Sequence, residues 1–427
     1  MSSSCLFDLF PTEIIRDIGI HFPLVEIPNI SQICKKFNQS IGLNEDFWHK
    51  RFVLDYEYDP IDYRGSWKEL YKKEKSKKVW TFGYNQFGQL GLGDNEDRNL
   101  PTEIENFRVK EVSGGACHMV VIDMENNVWT FGCNGSGQLG LGDNQDTNVP
   151  TQISNLKVRQ VSCGEIHTVI IDIEDNVWTF GWNEYGQLGL GDNKDRNQPT
   201  QVLNMKAHQV SAGDNHTVII DLENNVWTCG WNGNGQLGLG NNKNRKKPTK
   251  IPKIKAKQVS TGGDHTVIID LENNVWTFGS NGFGQLGLGE NETRTSVCEP
   301  TQVPNIKAHQ VSAGGYHTVI IDLNSNVWTC GDNDEGQLGL GDNENRTSVS
   351  APTQVPNLKG KEVSTGAGHT VIIDLEKNIW TFGDNESGEL GLEDKENRNQ
   401  PTQIKNFKGE KVSAGVYHTI MIGTRII

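Results

Sequence analysis

The stretch VWTFGWNEYGQLGLGDN, which runs from Val177 to Asn193, occurs with small changes six more times in this chain of 427 residues. Successive copies of its tryptophan are 49 residues apart four times and then 52 residues apart twice. The tryptophans are Trp80, Trp129, Trp178, Trp227, Trp276, Trp328 and Trp380. A histidine recurs with the same period, from His118 to His418. A period near 50 residues predicts an array of similar structural units.

Each repeat contains four short runs that are typical of β-strands. In one copy they are KQVS (257–260), HTVIID (265–270), NVWTFG (274–279) and PTQV (300–303), which we label A, B, C and D. β-Branched residues separated by Gly and Asn favour strands. Their nearly continuous apolar character predicts that both faces of each sheet are covered. Four strands per period of about 50 residues are typical of a β-propeller blade, whereas the coils of a β-solenoid are shorter.

The two ends of the array complement each other. The array begins with C and D strands (79–104) and ends with A and B strands (410–422). Pairing these two half-blades would remove two exposed sheet edges. We therefore predict a mostly β protein, a seven-bladed propeller closed by two strands from each end.

The repeated elements W-T-F-G, N-x-x-G-Q-L-G-L-G and V-S-x-G-x-x-H resemble the regulator of chromosome condensation (RCC1) repeat. The resemblance covers residues 79–427 and implies the seven-bladed propeller of that family. Some members of the family are guanine-nucleotide exchange factors for small GTPases. The even spacing leaves no room here for a wedge-like insertion, because the longest addition to a repeat is three residues.

The first 78 residues have helical periodicity, with apolar residues every three or four positions between Ile14 and Phe37. This segment resembles the F-box at Leu9, Pro11, Glu13, Ile14, Ile15, Ile18, Ile33, Cys34, Lys35, Phe37 and Trp48. The resemblance implies docking onto a Skp-type adaptor, and so onto a cullin ubiquitin ligase. The adaptor-binding residues it implies are Leu9, Pro11, Ile14, Ile15, Ile18, Ile33, Cys34, Phe37 and Trp48. The alternative is a plain helical cap on the propeller.

These patterns divide the chain into three parts. Residues 1–55 form the F-box-like helical domain, residues 56–78 a helical linker, and residues 79–427 the propeller with its closing blade (79–104 plus 410–422).

The charge is distributed unevenly along the chain. The net charge is −14, and residues 1–78 hold 12 of the 40 basic and 12 of the 54 acidic residues, which leaves 28 and 42 for the propeller. An acidic domain is a poor candidate for direct nucleic-acid binding, which needs clustered cations, and favours a basic protein partner. The chain lacks a run of about 18 apolar residues that could span a membrane. With no disulfide pattern among its eight cysteines, we predict an intracellular protein, cytoplasmic or nuclear, that is monomeric outside a ligase complex.

No repeated motif predicts catalysis. One histidine per repeat in the same context is typical of structural hydrogen bonding, and the Asp- and Asn-rich GDN segments lack the spacing of a calcium loop. No copy contains a phosphate-binding loop. We therefore predict a non-enzymatic protein without catalytic residues, metal or cofactor.

Differences between the repeats point to one face. The most variable positions lie four, six and seven residues after each Trp, and in the pair before each repeat His. Both sets belong to loops that leave the same end of an up-and-down sheet. The turn between B and C strands and the predicted loop between D and A strands (Asn-x-Lys) leave the other end and vary much less. The predicted substrate-binding face comprises Tyr84, Phe87, Trp182, Tyr185, Trp231, Phe283, Asp332, Asp334, Glu335, Asp384 and Glu386. Exposed aromatic residues are typical interface anchors, and an acidic arc would attract a basic partner. Neutral drift of the loops is the alternative.

These observations predict the substrate-recognition subunit of a cullin ubiquitin ligase. The F-box would bind the Skp-type adaptor, and the variable face would bind a protein substrate with a basic surface. The alternatives are an exchange factor for a small GTPase and a non-catalytic scaffold for basic chromatin-type proteins.

Overall fold

The computed structural model describes residues 44–56, 64–289, 294–341 and 347–426. The chain divides into two compact units between Lys77 and Lys78. Eight of the nine predicted adaptor-binding residues, from Leu9 to Phe37, lie outside the described ranges, and only Trp48 lies within them.

The first unit contains two described helices, α1 (Glu45–Tyr56) and α2 (Trp67–Ser76). The side chain of Asn44 caps α1 by accepting the Phe47 N–H at 2.9 Å. Glu45 joins the two helices because its carboxylate accepts the Ser66 hydroxyl at 2.8 Å and also the backbone N–H of Trp67.

Aromatic packing holds the two helices together. Trp48 is only 9% exposed, and its ring lies edge-on to Phe47 with 5.2 Å between the centroids. Phe52 is buried, and its ring lies 5.6 Å from that of Trp67. In this unit Trp48 therefore forms part of the packed interior.

In the described part of the second unit, the regular elements are all β-strands, and every strand pair is antiparallel. They are β1 (Lys78–Gly83), β2 (Arg98–Glu103), β3 (Val109–Gly114), β4 (His118–Asp123), β5 (Asn127–Gly132), β6 (Thr147–Cys163), β7 (His167–Asp172), β8 (Asn176–Gly181), β9 (Arg196–Ala212), β10 (His216–Asp221), β11 (Asn225–Gly230), β12 (Arg245–Thr261), β13 (His265–Asp270), β14 (Asn274–Ser280), β15 (Ser296–Ala313), β16 (His317–Asp322), β17 (Asn326–Asp332), β18 (Ser348–Thr365), β19 (His369–Asp374), β20 (Ile379–Gly383), β21 (Arg398–Gln403), β22 (Phe407–Ala414) and β23 (His418–Arg425).

The predicted loop between D and A strands is instead continuous strand in five repeats. In β12, Arg245–Lys255 pairs with β11 of one sheet, and Ala256–Thr261 pairs with β13 of the next. The chain turns from one sheet to the next at a residue with φ between 58° and 64°, and these residues are Asn155, Asn204, Lys253, Asn305 and Asn357. Asparagine tolerates this left-handed conformation better than most residues, so one residue bends the strand without a loop.

One aspartate organises the turn between B and C strands in each complete repeat. Asp270 Oδ1 accepts the N–H groups of Glu272 and Asn274 at 2.9 and 2.8 Å, while Oδ2 accepts the Trp276 indole N–H at 2.8 Å. The indole N–H of the repeat tryptophan therefore stabilises the turn by a hydrogen bond, while its ring packs between sheets.

The two ends of this unit share one four-stranded sheet with the order β2-β1-β23-β22. Trp80 lies opposite Met421 in the register of β1 and β23. Gly423 takes the place of the turn aspartate, and its carbonyl accepts the Trp80 indole N–H at 3.4 Å. Here β1 and β23 come from opposite ends of the unit, so no B–C turn joins them. An aspartate at this place would therefore have no turn to stabilise.

The core lies between successive sheets. One buried cluster joins Val218, Ile220 and Val226 to Ile268 and Phe278 of the following sheet. Burial on both faces explains why the strands lack alternation of apolar and polar residues. The prediction of a mostly β propeller is confirmed. Among the described residues, no helix is long and apolar enough to cross a membrane.

Candidate functional site

Serine hydroxyls join the A strands around a central cavity. Cys163 N donates to Ser113 Oγ at 2.9 Å, and Gly114 N donates to Ser413 Oγ at 3.0 Å, which links the beginning of the unit to its end. The serines that accept such bonds are Ser113, Ser162, Ser211, Ser260, Ser312, Ser364 and Ser413. They line a cavity of about 360 Å³. This network gives the inner loops a rigid support.

The repeat histidines are fully buried and make contacts between sheets. His167 Nε2 lies 2.9 Å from Thr217 Oγ1, and the Thr217 hydroxyl donates to the Gln187 carbonyl at 2.8 Å. Because that hydroxyl has only one hydrogen, His167 Nε2 must carry a proton and act as the donor. Burial lowers the pKa of His167 to about 3. These features indicate a structural role for the histidine.

The two variable sets of residues lie side by side. The backbone N–H of Trp231 donates to the Asn215 carbonyl at 2.8 Å, and that of Tyr84 donates to the Tyr417 carbonyl at 2.9 Å. The loop after each C strand is therefore hydrogen-bonded to the loop before each B strand. This contact places both variable sets on the same face of the propeller.

The predicted aromatic residues form separate groups on this face. Trp182 lies edge-on to Tyr185 at 5.4 Å, and Tyr185 contacts Trp231 of the next repeat at 6.1 Å. These three side chains are half-buried. The Trp231 ring folds over Gly233, where an added Cβ would lie 2.5 Å from Trp231 Cζ2. Glycine at this position therefore allows the tryptophan to lie against the loop. We call Trp182, Tyr185 and Trp231 the tryptophan cluster.

The other aromatic residues do not join the tryptophan cluster. Tyr84 lies 6.3 Å from Phe87 and also 6.3 Å from Tyr417. Phe283 lies 5.3 Å from Tyr316. Phe87, Phe283, Tyr316 and Tyr417 are between 38% and 48% exposed. They are accessible for contact with a partner.

The predicted acidic arc is a group of mutually repelling carboxylates. Asp332 Oδ2 accepts the Gln337 side-chain N–H at 2.9 Å, and partial burial raises the pKa of Asp332. Burial also raises the pKa of Glu335, and neighbouring negative charges raise it further, those of Asp384, Glu386, Asp332 and Asp334. The structure therefore brings all five predicted acidic residues together.

Glu389 extends this arc inward. It occupies a place that is glutamine in the other six repeats, and it is only 1% exposed. Its Oε2 accepts the Ser387 N–H at 2.8 Å. Burial, followed by the charge of Asp384, raises the pKa of Glu389 to about 7.

Sequence reasoning missed a second acidic group at the mouth of the central cavity. Burial, together with the charges of Glu165 and Asp264, raises the pKa of Asp214 to about 7. Glu165 and Asp214 line the cavity together with Tyr316. Tyr316 joins the two acidic groups, because Asp264, Asp214, Glu165 and Asp332 all raise its pKa after burial. The missed residues Glu165, Asp214, Asp264 and Tyr316 all lie in the variable pair before a repeat His, so the signal was present in the sequence.

The family comparisons agree with this architecture. The chain matches the RCC1-like domain over residues 201–425. It also matches the regulator of chromosome condensation (RCC1) repeat over residues 78–122, 125–171 and 174–220. The chain belongs to the RCC1-like domain family. The resemblance to the RCC1 repeat is therefore confirmed, whereas the F-box stays a prediction.

Relatives of this RCC1-like chain match it over short segments. The mouse X-linked retinitis pigmentosa GTPase regulator is 32% identical over 108 residues, which cover 24% of this chain and 11% of the relative. The zebrafish E3 ubiquitin-protein ligase MYCBP2 is 39% identical over 88 residues, covering 20% and 2%. The human probable E3 ubiquitin-protein ligase HERC3 is 34% identical over 92 residues, covering 21% and 9%. The match thus spans about a tenth of each relative's length or less.

Solved structures share the fold over most of the chain. Yeast RCC1 (Prp20), solved with Kap60, superposes with a TM-score of 0.75 and 22% identity, covering 82% of this chain and 90% of that one. Human WBSCR16 gives 0.74 and 21%, covering 82% and 100%. At this identity the likeness shows the RCC1-like fold alone.

The carboxylates on this face of the RCC1-like propeller are costly to ionise. Burial raises the pKa of Asp214, Glu335 and Glu389, and the charges of neighbouring carboxylates also raise it. In the described part of the chain, no group of three or more His, Cys, Asp or Glu side chains is placed to hold a metal ion.

Proposed function

We propose that this chain is the substrate-recognition subunit of a cullin ubiquitin ligase. Its F-box would bind a Skp-type adaptor, and the variable face would bind a protein substrate with a basic surface. The observation that carries the substrate side is the crowding of carboxylates with raised pKa values beside exposed aromatic residues. Binding a basic surface would relieve this repulsion and bury the aromatic anchors.

We further infer that the propeller is a closed ring of seven blades. Support comes from the sheet that combines strands from both ends of the unit. The bond from Gly114 N to Ser413 Oγ completes a cycle of seven serine contacts. A rigid ring would present the tryptophan cluster and the acidic residues in constant positions, which lowers the entropy cost of binding.

The adaptor side of the proposal rests on the sequence of residues 9–48. The described helices α1 and α2 are consistent with a helical N-terminal unit. Two relatives with similar repeats, MYCBP2 and HERC3, are named E3 ubiquitin-protein ligases, so RCC1-like repeats do occur in ligase chains. In this proposal the chain acts inside the cell, positions the substrate and leaves the chemistry to the ligase.

An exchange factor for a small GTPase is the second candidate. One relative is named a GTPase regulator, and the yeast Prp20p structure was described with its binding to Gsp1p and histones. The histone binding of that protein also motivates a scaffold that binds basic chromatin-type proteins. We rank the exchange factor behind the ligase role, because the repeats of this chain hold no insertion longer than three residues. Failure of ubiquitylation despite adaptor binding would favour the scaffold.

Adaptor binding is tested by co-purification of the full-length chain with a Skp-type adaptor. Ile14→Asp combined with Ile15→Asp should abolish recovery of the adaptor, because charges would replace predicted contact residues. Trp182→Ala/Trp231→Ala should retain it. Absence of adaptor from the wild-type chain would rule out the ligase role.

Substrate binding is tested by comparing proteins captured from cells by the wild type and by Trp182→Ala/Trp231→Ala. Leu375→Ala is a matched control, since Leu375 is 57% exposed in a B–C turn. We expect basic proteins to be lost only with the tryptophan variant. Nucleotide release from a panel of small GTPases tests the exchange-factor alternative, and accelerated release would favour it.

A further inference from the structure

One strand of this acidic propeller carries a dense cluster of positive charge. β12, with the sequence RKKPTKIPKIKAKQVST, holds seven basic residues and no acidic one. They are Arg245, Lys246, Lys247, Lys250, Lys253, Lys255 and Lys257. By contrast β9, the equivalent strand one repeat earlier, holds only Arg196 and Lys206. The expectation that this domain lacks clustered cations is therefore wrong for this strand.

Most of these lysines have no partner of opposite charge. Lys246, Lys247, Lys250 and Lys253 are exposed and form no ion pair with any residue that the structure describes. The ammonium group of Lys255 is instead bound within the propeller, because its Nζ donates to the Glu223 backbone carbonyl at 3.0 Å. Four lysines on one strand thus create a local positive potential, and none of the four is held in an ion pair by a described residue.

A groove with apolar walls adjoins this strand. It has a volume of about 950 Å³, and its lining includes Leu203, Met205, Leu222, Trp227, Lys247 and Lys250, which we call the basic groove. Leu203 is 79% exposed and Leu222 is 51% exposed. Exposure of two large aliphatic side chains to water beside a groove is unfavourable. A partner that covers them would gain the free energy of burying their apolar surface.

The equivalent groove one repeat earlier lacks these properties. Its volume is about 370 Å³, with Ser154 at the place of Leu203 and Gln198 at the place of Lys247. The combination of apolar and cationic residues is therefore specific to one repeat. Repeat architecture alone does not produce it.

The charges inside the basic groove favour a partner that carries carboxylates. Arg196 is already paired with Asp192 at 2.7 Å, and the Asp221 carboxylate accepts the Trp227 indole N–H at 2.8 Å. The Glu223 carboxylate, which also lines the groove, accepts the Asn225 side-chain N–H at 3.3 Å, so Lys247 and Lys250 are left to attract an anion. Leu203 would add nothing to the binding of a phosphate backbone, so the apolar wall favours a peptide over a nucleic acid.

Pro248 limits how such a peptide can dock. It lies in the outer strand between Lys247 and Lys250 and has no N–H to offer to an added strand. Side-chain contacts must therefore provide the affinity.

We propose that the basic groove binds a short acidic peptide segment of a partner protein that carries a large apolar side chain. The carboxylates pair with Lys247 and Lys250, and the apolar side chain packs on Leu203, Met205 and Trp227. This inference does not depend on the proposed ligase function, because it uses neither the F-box nor the acidic face.

The test measures fluorescence anisotropy of labelled probes with the full-length chain. The first probe is an eight-residue peptide with a central Leu-Phe pair between acidic residues. Lys247→Glu/Lys250→Glu should weaken its binding by at least about tenfold, through loss of attraction and added repulsion. Leu203→Ser, which copies the residue of the earlier repeat, should weaken it by about three- to tenfold. Lys405→Glu is the matched control, since Lys405 is an exposed lysine in another repeat and should leave binding unchanged.

Two further probes separate the apolar contribution from charge. An acidic peptide with Ala-Ala at its centre should bind the wild type about as weakly as the Leu-Phe peptide binds Leu203→Ser. Single-stranded DNA of equal charge should bind more weakly than the Leu-Phe peptide. The proposal is overturned if the Leu-Phe peptide fails to bind, if Leu203→Ser binds it normally, or if DNA binds more tightly.

Discussion

Among the residues that the structure describes, His418 has no hydrogen-bond partner at Nε2, because Met119 occupies the place that threonine occupies in the six other repeats. His369, one repeat earlier, has its Nε2 3.0 Å from Thr419 Oγ1. The exception falls where the two ends of the propeller meet, at the same junction where Gly423 replaces the turn aspartate. This junction therefore lacks the histidine–threonine hydrogen bond and the turn aspartate that are present at its neighbours. The contacts that remain there include backbone pairing, apolar packing, the hydrogen bond from Gly114 N to Ser413 Oγ and the ion pair between Lys411 and Glu111.

Thr217→Val should destabilise the propeller by about 1–3 kcal/mol, because it leaves the buried His167 N–H without a partner and the Gln187 carbonyl with only the weak Cys229 thiol donor at 3.6 Å. The valine keeps the shape of the threonine, so the change isolates the hydrogen bonds. Met119→Leu is the control at the equivalent place without such a bond, and should cost less than about 1.5 kcal/mol. Urea denaturation followed by tryptophan fluorescence measures both. An equal loss in the two variants would contradict the role assigned to the threonine.

The seven buried histidines should make the propeller sensitive to acid. Burial lowers the pKa to about 4 for His369 and to about 3 for the other six. The unfolded chain binds these protons near pH 6.5, so stability is complete above that pH and is lost as the pH falls toward 3. Each histidine contributes a slope of up to about 1.4 kcal/mol per pH unit in this window. Denaturant titrations between pH 4 and pH 7 measure the slope, and a flat profile would refute the neutral buried state.

Asp214→Asn should stabilise the free propeller at pH 8 and have little effect at pH 5. The pKa of Asp214 is raised to about 7, so the folded state disfavours its ionised form, and its contribution to stability falls as the pH rises from about 4 toward 7. Removing the charge should add about 1–2 kcal/mol at pH 8. Thermal unfolding at the two pH values measures this difference. A variant less stable than the wild type at pH 8 would contradict the repulsion described at the cavity mouth.

Gly233→Ala should displace the Trp231 ring from its loop, because the new Cβ would meet Cζ2 at 2.5 Å. Loss of the contact with Tyr185 should cost about 0.5–1.5 kcal/mol and change the near-ultraviolet circular dichroism. Gly282→Ala is the matched control at the same place in the next repeat, where an added Cβ has no atom within 4 Å. If both variants give the wild-type spectrum, Trp231 does not lie over Gly233 in solution.

The strands and their order could be predicted from the repeat, whereas the connection between D and A strands could not. Asn204 and its equivalents were interpreted as loop residues, but a single left-handed residue lets the strand continue into the next sheet. Short polar segments that bend a strand and those that end it contain the same residue types. The N-terminal prediction, from Leu9 to Phe37, stays untested because those residues lie outside the described ranges.

The candidate face was predicted in outline only. Variation between repeats identified the loops, yet Asp214 and Tyr316 were left out because the prediction concentrated on the loop after the C strand. Burial decides the importance of Asp214, because a carboxylate in water would titrate near its usual value. The pattern of residues does not contain that information.

The sequence by itself determined the repeat, the four strands in each unit, and the local bonds such as those of Asp270 with its own turn and with Trp276. Such contacts join residues that are a few positions apart, so they recur wherever the repeat sequence recurs. Only the tertiary structure decided which side chains meet across repeats, as Tyr185 meets Trp231 and as Leu203 meets Lys247 at one groove. These pairs lie more than 40 residues apart in the sequence, and the angle and spacing of packed sheets bring them together.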